Sequence, residues 1–134
     1  MSESDNKPRP RILFMDDEAD IRRVGGKVLK YLGYEAVEVT KGEEAIAAYT
    51  EALNSDRPFV AAILDLQIKG GMDGIATMEK LRELDPDVKG ILSSGLPKDT
   101  ADPSIASYGF AGTINKPYEI AALSAVLKDI LGPA

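Results

Sequence analysis

The stretch ILDLQIKGGMDG, residues 63–74, decides how the rest of the chain is read. It completes an apolar run that begins at Phe59 and stops abruptly at the carboxylate of Asp65. Six consecutive apolar residues bounded by a loop read as a strand buried on both faces, the kind found in parallel sheets. No capping signature surrounds Asp65. Lys69, Gly70 and Gly71 form the loop that follows, and a second aspartate, Asp73, precedes the next periodic segment.

Outward from this strand, short apolar runs alternate with helical spacings. Upstream, residues 12–15 predict a first strand that ends in acids. Ile21, Val24, Val28 and Leu32 recur at intervals of three and four, an amphipathic helix stopping near Gly33. Residues 35–39 predict a second strand. Thr40 is a candidate cap for a helix whose apolar face is Ala45, Ile46, Tyr49 and Leu53. The opening run, 59–64, is the third strand. Downstream, Ile75, Met78 and Leu81 mark a helix that ends before Asp85-Pro86. Residues 88–92, with Gly90 inside, predict a fourth strand, and 98–108, with Pro103 among small polar residues, a short or irregular fourth helix. Residues 110–114 predict a fifth strand despite Gly112. Ile120, Leu123, Val126, Leu127, Ile130 and Leu131 then give the clearest helix, stopped by Gly132-Pro133. The first ten residues, MSESDNKPRP, read as a mobile polar tail, and 11–132 as one domain.

Five strands and five helices in strict alternation imply an α/β fold, a doubly wound parallel sheet covered by helices on both faces. Ligands in such folds bind at the carboxyl ends of the strands, near the switch in strand order.

The composition narrows the chemistry. The chain has 134 residues, 44% hydrophobic and 28% charged, with a net charge of -6. An acidic chain lacks the basic surface that direct nucleic-acid binding requires, and it is repelled by anionic membranes. There is no cysteine and no histidine. Disulfides, thiolate metal sites, cysteine nucleophiles, Ser-His-Asp triads and His-ligated zinc are therefore excluded. No apolar run reaches the ~20 residues of a membrane span and no signal-peptide pattern opens the chain, so a cytoplasmic location is expected.

The strand ends carry the remaining candidates: Asp16, Asp17 and Glu18 after the first, Asp65 after the third, Ser93 and Ser94 after the fourth, Lys116 after the fifth. Singly, each has an ordinary reading. An aspartate at a strand–helix junction caps the helix, a serine serves a turn, and a lysine is solvated. Together they converge on one edge of the sheet. Three carboxylates in one crevice repel each other and call for a cation. Oxygen ligands alone point to Mg2+ rather than zinc. A lysine and a hydroxyl in the same crevice suit phosphate oxygens. This set fits phosphoryl transfer to a carboxylate, with positive charge offsetting the repulsion between aspartate and phosphoryl dianion.

With Asp16-Asp17, Asp65, Ser94 and Lys116-Pro117 in this order and spacing, the chain resembles the receiver domain of two-component response regulators over about residues 10 to 132. The resemblance implies a flavodoxin-like sheet of order 2-1-3-4-5. It implies Asp65 as phosphoacceptor, fed by a histidine kinase or a histidine phosphotransfer protein. Asp17, Asp65 and the backbone carbonyl of Gln67 would ligate Mg2+, with Asp16 assisting through water. Lys116 would contact the phosphoryl group, Ser94 rather than Ser93 would bond one of its oxygens, and the Lys116-Pro117 bond would be cis. Gln67 and Leu96 fall where the family tunes dephosphorylation. Ser94 would carry the switch to a partner surface formed by the fourth helix, fifth strand and fifth helix. The family's usual aromatic switch residue is replaced by Thr113, so switching is expected to rest on Ser94 and the loose stretch 96–107. Such a domain is not an enzyme beyond catalysing its own phosphorylation and dephosphorylation. The Gly-Gly loop, Ser94-Gly95 and Lys116-Pro117-Tyr118 resemble receivers of hybrid sensor kinases.

Two features of the loop depart from the family's common form. Lys69 stands where proline is frequent, with its amine expected in solvent, and the loop to Gly74 is one residue longer. Gly70-Gly71 are expected to absorb that residue through positive φ angles. Competing readings are an aspartyl-nucleophile phosphohydrolase, a flavin-binding doubly wound protein and a receiver-like interaction module that is not phosphorylated. The first wants an acid two residues after the nucleophile, where Gln67 stands. The second wants a phosphate-cradling loop where Asp16-Asp17-Glu18 stand. The third leaves five suitable side chains unused. The chain's end after the fifth helix fits either a stand-alone receiver or a domain of a longer protein.

Overall fold

A computed structural model describes residues 8–132. Most of the expected tail, residues 1–7, and the expected helix stop at Pro133 lie outside the described residues. Five strands, β1 (Arg11–Met15), β2 (Glu35–Val39), β3 (Phe59–Asp65), β4 (Gly90–Ser94) and β5 (Phe110–Asn115), pair in parallel in the order β2-β1-β3-β4-β5. Helices α1 (Ala19–Tyr31), α2 (Gly42–Leu53), α3 (Gly74–Leu84), α4 (Pro97–Thr100) and α5 (Ile120–Leu131) connect them, with a 3-10 segment at Pro103–Tyr108 after α4.

Alternation along the strands splits the core into two layers. Leu13, Met15, Ala62, Leu64 and Leu92 face α2 and α3, packing on Tyr49, Met78 and Leu81. Ile12, Phe14, Ile63, Ile91 and Ile114 face the other way, onto Leu29, Leu123 and Leu127 of α1 and α5. Strand β3 is buried almost throughout, because it is central and covered on both faces. That is why its sequence reads as an unbroken apolar run.

Several expectations shift on packing. The fourth strand begins at Gly90, not at residue 88, and continues through Ser94. Both serines are thus paired strand residues rather than loop residues. Gly90 fits inside the strand because Met78 lies against it: a Cβ there would come within 2.4–2.8 Å of the Met78 thioether if that side chain stayed put. In α1 the buried positions are Gly25 and Leu29, while Val24 is 47% exposed. Gly25 is required because the Phe14 ring occupies the place of its side chain. Thr40 does not cap α2: Lys41 is the N-cap, without a side-chain bond. Thr40 instead donates its N–H and hydroxyl to the Glu44 carboxylate, at 2.7 and 2.8 Å. The stretch 98–108, expected to be short or irregular, is one turn of α-helix followed by the 3-10 segment, with only Ile105 buried.

Candidate functional site

Where the strand order reverses between β1 and β3, two carboxylates meet. Register pairs Met15 with Leu64, so Asp16 follows β1 directly beside Asp65, the last residue of β3. By alternation, Asp16 and Asp65 continue the row of Phe14 and Ile63, and Lys116 that of Ile114. Asp16 is fully buried and Asp65 is 4% exposed. Asp17 completes a group of three carboxylates, one oxygen of each lying within 4.8 Å of the others. The Lys116 ammonium sits between two of them, 3.0 Å from Asp16 Oδ2 and 3.2 Å from Asp65 Oδ1. One ammonium against three carboxylates leaves an excess of negative charge on hard oxygen donors, a composition that suits a divalent cation such as Mg2+.

The first acidic pair divides its work. Asp16 Oδ1 accepts the Glu18 N–H at 2.9 Å and so holds the turn into α1, while its Oδ2 takes Lys116. Asp17 reaches across the crevice and accepts the Lys69 N–H at 3.1 Å. Neither caps α1, whose N-cap is Glu18. Burial pushes the Asp65 carboxyl up to about 6, and the neighbouring Asp16 charge adds to this, only partly offset by Lys116. Burial alone would lower Lys116, but its bonds to Asp16 and Asp65 outweigh that and its pKa is raised.

The loop after β3 is shaped by glycines. Gly70 has a φ of +71°, the left-handed region that glycine enters freely, whereas Gly71 does not share it. The expectation of positive φ at both thus fails at Gly71, where a Cβ would lie 3.0 Å from that of Lys41. Gly74 presses onto the phosphoacceptor candidate itself: a Cβ there would stand 2.5 Å from the Asp65 carbonyl oxygen. Asp73 caps α3 by accepting the Ala76 N–H at 2.9 Å. Lys69 is exposed, and it is its amide rather than its amine that meets Asp17.

Asp17, Asp65, Gln67, Lys69, Ser94, Leu96 and Lys116 all line one open crevice of about 750 Å³. Ser94 Oγ donates to Asp99 Oδ2 at 2.8 Å and accepts the Leu96 N–H at 3.1 Å. Ser93 points to the opposite face of the sheet, where its hydroxyl bonds the Tyr118 hydroxyl at 2.6 Å. Burial raises the Tyr118 pKa, so that phenol stays neutral. Thr113 lies on β5 away from the carboxylates, in a depression shared with Thr100 and Ile105. The Lys116-Pro117 bond is cis. Sequence reading overlooked Asp99, Gly74 and the Ser93–Tyr118 pair. Strand period 2 assigns Ser93 to the Ile91 face, but nothing local announces that Asp99 folds back on Ser94.

Residues 12–128 match the family model of the response regulator receiver domain. The chain therefore belongs to the response regulator receiver family, the phosphorylation-controlled modules of two-component systems. It is 28% identical over 121 residues to the response regulator receiver protein CpdR of Brucella abortus, covering 90% of this chain and 96% of that protein. It is also 28% identical to part of the sensor kinase CckA of the same organism, but spans only 12% of its length. With the transcriptional regulatory protein PrrA of Mycobacterium tuberculosis it shares 30% identity and spans half the length. Among solved structures, a chain of the CheX-CheY-BeF3-Mg+2 complex from Borrelia burgdorferi superposes with a TM-score of 0.83 over 96% of this chain and 94% of that one. At 21% identity, that likeness is one of fold. A CheY-like receiver domain from Methylobacillus flagellatus gives 0.77 at 26% identity, over 91% and 98%. The fold is that of CheY, a flavodoxin-like sheet of order 2-1-3-4-5.

Proposed function

We propose that Asp65 is the phosphoacceptor, taking a phosphoryl group from a phosphohistidine donor in a Mg2+-dependent reaction. The observation that carries this reading is the meeting of Asp16, Asp17 and Asp65 around a lysine at the sheet's switch point. An Asp65 carboxylate oxygen bonds to phosphorus as the bond between phosphorus and the donor's imidazole nitrogen breaks. The imidazole leaves with the electron pair of that bond. Asp17, Asp65 and the Gln67 carbonyl would hold the metal, with Asp16 acting through water. Bound Mg2+ would supply the positive charge that lets a carboxylate approach a phosphoryl dianion. Lys116 stays charged beside Asp65 and would take a phosphoryl oxygen, and Ser94 would donate to another.

The domain would catalyse only its own phosphorylation and dephosphorylation. Its donor would be a cytoplasmic histidine kinase domain or a histidine phosphotransfer protein. The similarity to a short part of a sensor kinase and to a response regulator receiver protein of the same organism supports a place in a phosphorelay. Phosphorylation would change the surface of α4, β5 and α5 for a downstream protein, with Ser94 as the moving hydroxyl and Thr113 replacing the usual aromatic. The test is incubation with a small phosphodonor, with and without Mg2+, on wild type and Asp65→Asn. Phosphorylation is expected in the wild type with metal alone. Phosphorylation that survives in the variant, or that proceeds without metal, would sink the assignment.

A further inference from the structure

Ser94 Oγ has one proton, and in this structure that proton is committed to Asp99. The bond, 2.8 Å, has the usual length of a hydroxyl hydrogen bond, and it ends on a carboxylate, the acceptor that gives the stronger kind. The hydroxyl's acceptor side is engaged as well, by the Leu96 N–H at 3.1 Å. Asp99 lies in the single turn of α4, a helix with no buried residue. Among the described residues, no cation forms a salt bridge with it. A second bond, from Thr100 Oγ1 to Asn115 Oδ1 at 2.8 Å, ties the same turn to the end of β5. The Lys116 N–H in turn donates to the Ser94 carbonyl at 2.8 Å. The turn is thus stitched by side-chain bonds to the ends of the two strands that present Ser94 and Lys116.

We propose that Asp99 is a positioning residue that competes with the phosphoryl group for the Ser94 proton, and so sets how tightly the crevice holds that group. The inference rests on the role given to Ser94 above. A hydroxyl cannot give one proton to two acceptors at full strength, so bonding a phosphoryl oxygen costs the bond to Asp99. The Asp99 charge, held at Ser94, also opposes an arriving group that carries roughly two negative charges. Both effects hold Ser94 against α4 until the phosphoryl group is present. When Ser94 leaves, Asp99 loses its partner and the Pro97–Thr100 turn keeps only the Thr100 stitch. Phosphorylation is thereby converted into loosening of α4.

Asp99→Asn keeps the shape but removes the charge, which weakens the bond. Beryllofluoride with Mg2+ serves as the phosphoryl mimic. From the difference between charged and neutral hydrogen bonds, the variant should bind it about three- to tenfold more tightly than wild type. In a Ser94→Ala background the same substitution should gain much less, since the shared proton is gone and only the direct effect of the Asp99 charge remains. Unchanged affinity in Asp99→Asn, or an equal gain with and without the Ser94 hydroxyl, would overturn the inference. A second arm needs no phosphoryl mimic. In the free protein, Hα–Hβ couplings of Ser94 should report one rotamer in wild type and averaging in Asp99→Ala. A single rotamer in both would overturn the competition even if wild type bound no beryllofluoride, an outcome that would instead fault the phosphoacceptor reading.

Discussion

The two sides of the crevice are built differently. On one side, Asp16 and Asp65 rise from the two central strands, over Met15, Leu64, Phe14 and Ile63, all of which are buried. On the other, Ser94 is met by α4, a single turn with nothing buried, and then by a 3-10 segment anchored by Ile105 alone. The contrast follows from coverage. The β1–β3 end has helices packed on both faces, whereas the stretch after β4 offers few apolar side chains to pack. A group that must be aimed within tenths of an ångström gains from the rigid side, and a group that must move gains from the loose one.

The sharpest way to break the contrast is to cut into each side and compare. Leu64→Ala, fully buried in β3 next to Asp65, should cost about 2–5 kcal/mol of unfolding free energy. Leu96→Ala, at the crevice rim and 47% exposed, should stay within about 0.5 kcal/mol. Denaturant titration of both reads the difference directly, and equal losses would show that the two sides are equally braced.

A next, smaller effect concerns Asp65 itself. Burial pushes its carboxyl up to about 6 in the folded chain, against about 3.9 for an unperturbed aspartate. Between these values the folded chain holds the extra proton, so the contribution of Asp65 to stability is present below pH 4 and is lost as pH rises through about 6. Asp65→Asn is expected to lack that decline and, at neutral pH without metal, to exceed wild type by on the order of 2 kcal/mol. Added Mg2+ should narrow the gap by binding the wild type more tightly. A variant less stable than wild type at neutral pH would mean that Lys116 compensates the buried charge in full.

The smallest effect is one of local opening. Amides of residues 97–109 should exchange with solvent well before those of β1 and β3, and a phosphoryl mimic should change exchange there more than in the central strands. Uniform protection across both regions would remove the distinction between an aiming side and a moving side.

Residue order alone carried the alternation of strands and helices, the parallel sheet, and the chemistry of the crevice. Buried parallel strands must be apolar throughout, and the polar residues that end them are then conspicuous: Asp65 after six apolar residues, Asp16-Asp17, and Lys116 beside a proline. Ranges were less legible. The fourth strand runs on to Ser94 because β5 pairs with it to the end, and Thr40 lost its capping role to a reach by Glu44 from one turn on. Both depend on neighbours distant in sequence or on a rotamer, neither of which leaves a local mark.

Charge, spacing and period thus determined that a carboxylate, a lysine and a hydroxyl come to one edge. Tertiary structure decided what each of them touches there. Only packing shows that Gly74 must be bare because the Asp65 backbone lies against it, that Lys69 contributes an amide rather than an amine, and that the Ser94 proton is already spoken for by Asp99. The physical reason is range. Solvation and periodicity are written residue by residue along the chain, whereas hydrogen bonds act over about 3 Å and exist only once the chain has closed on itself.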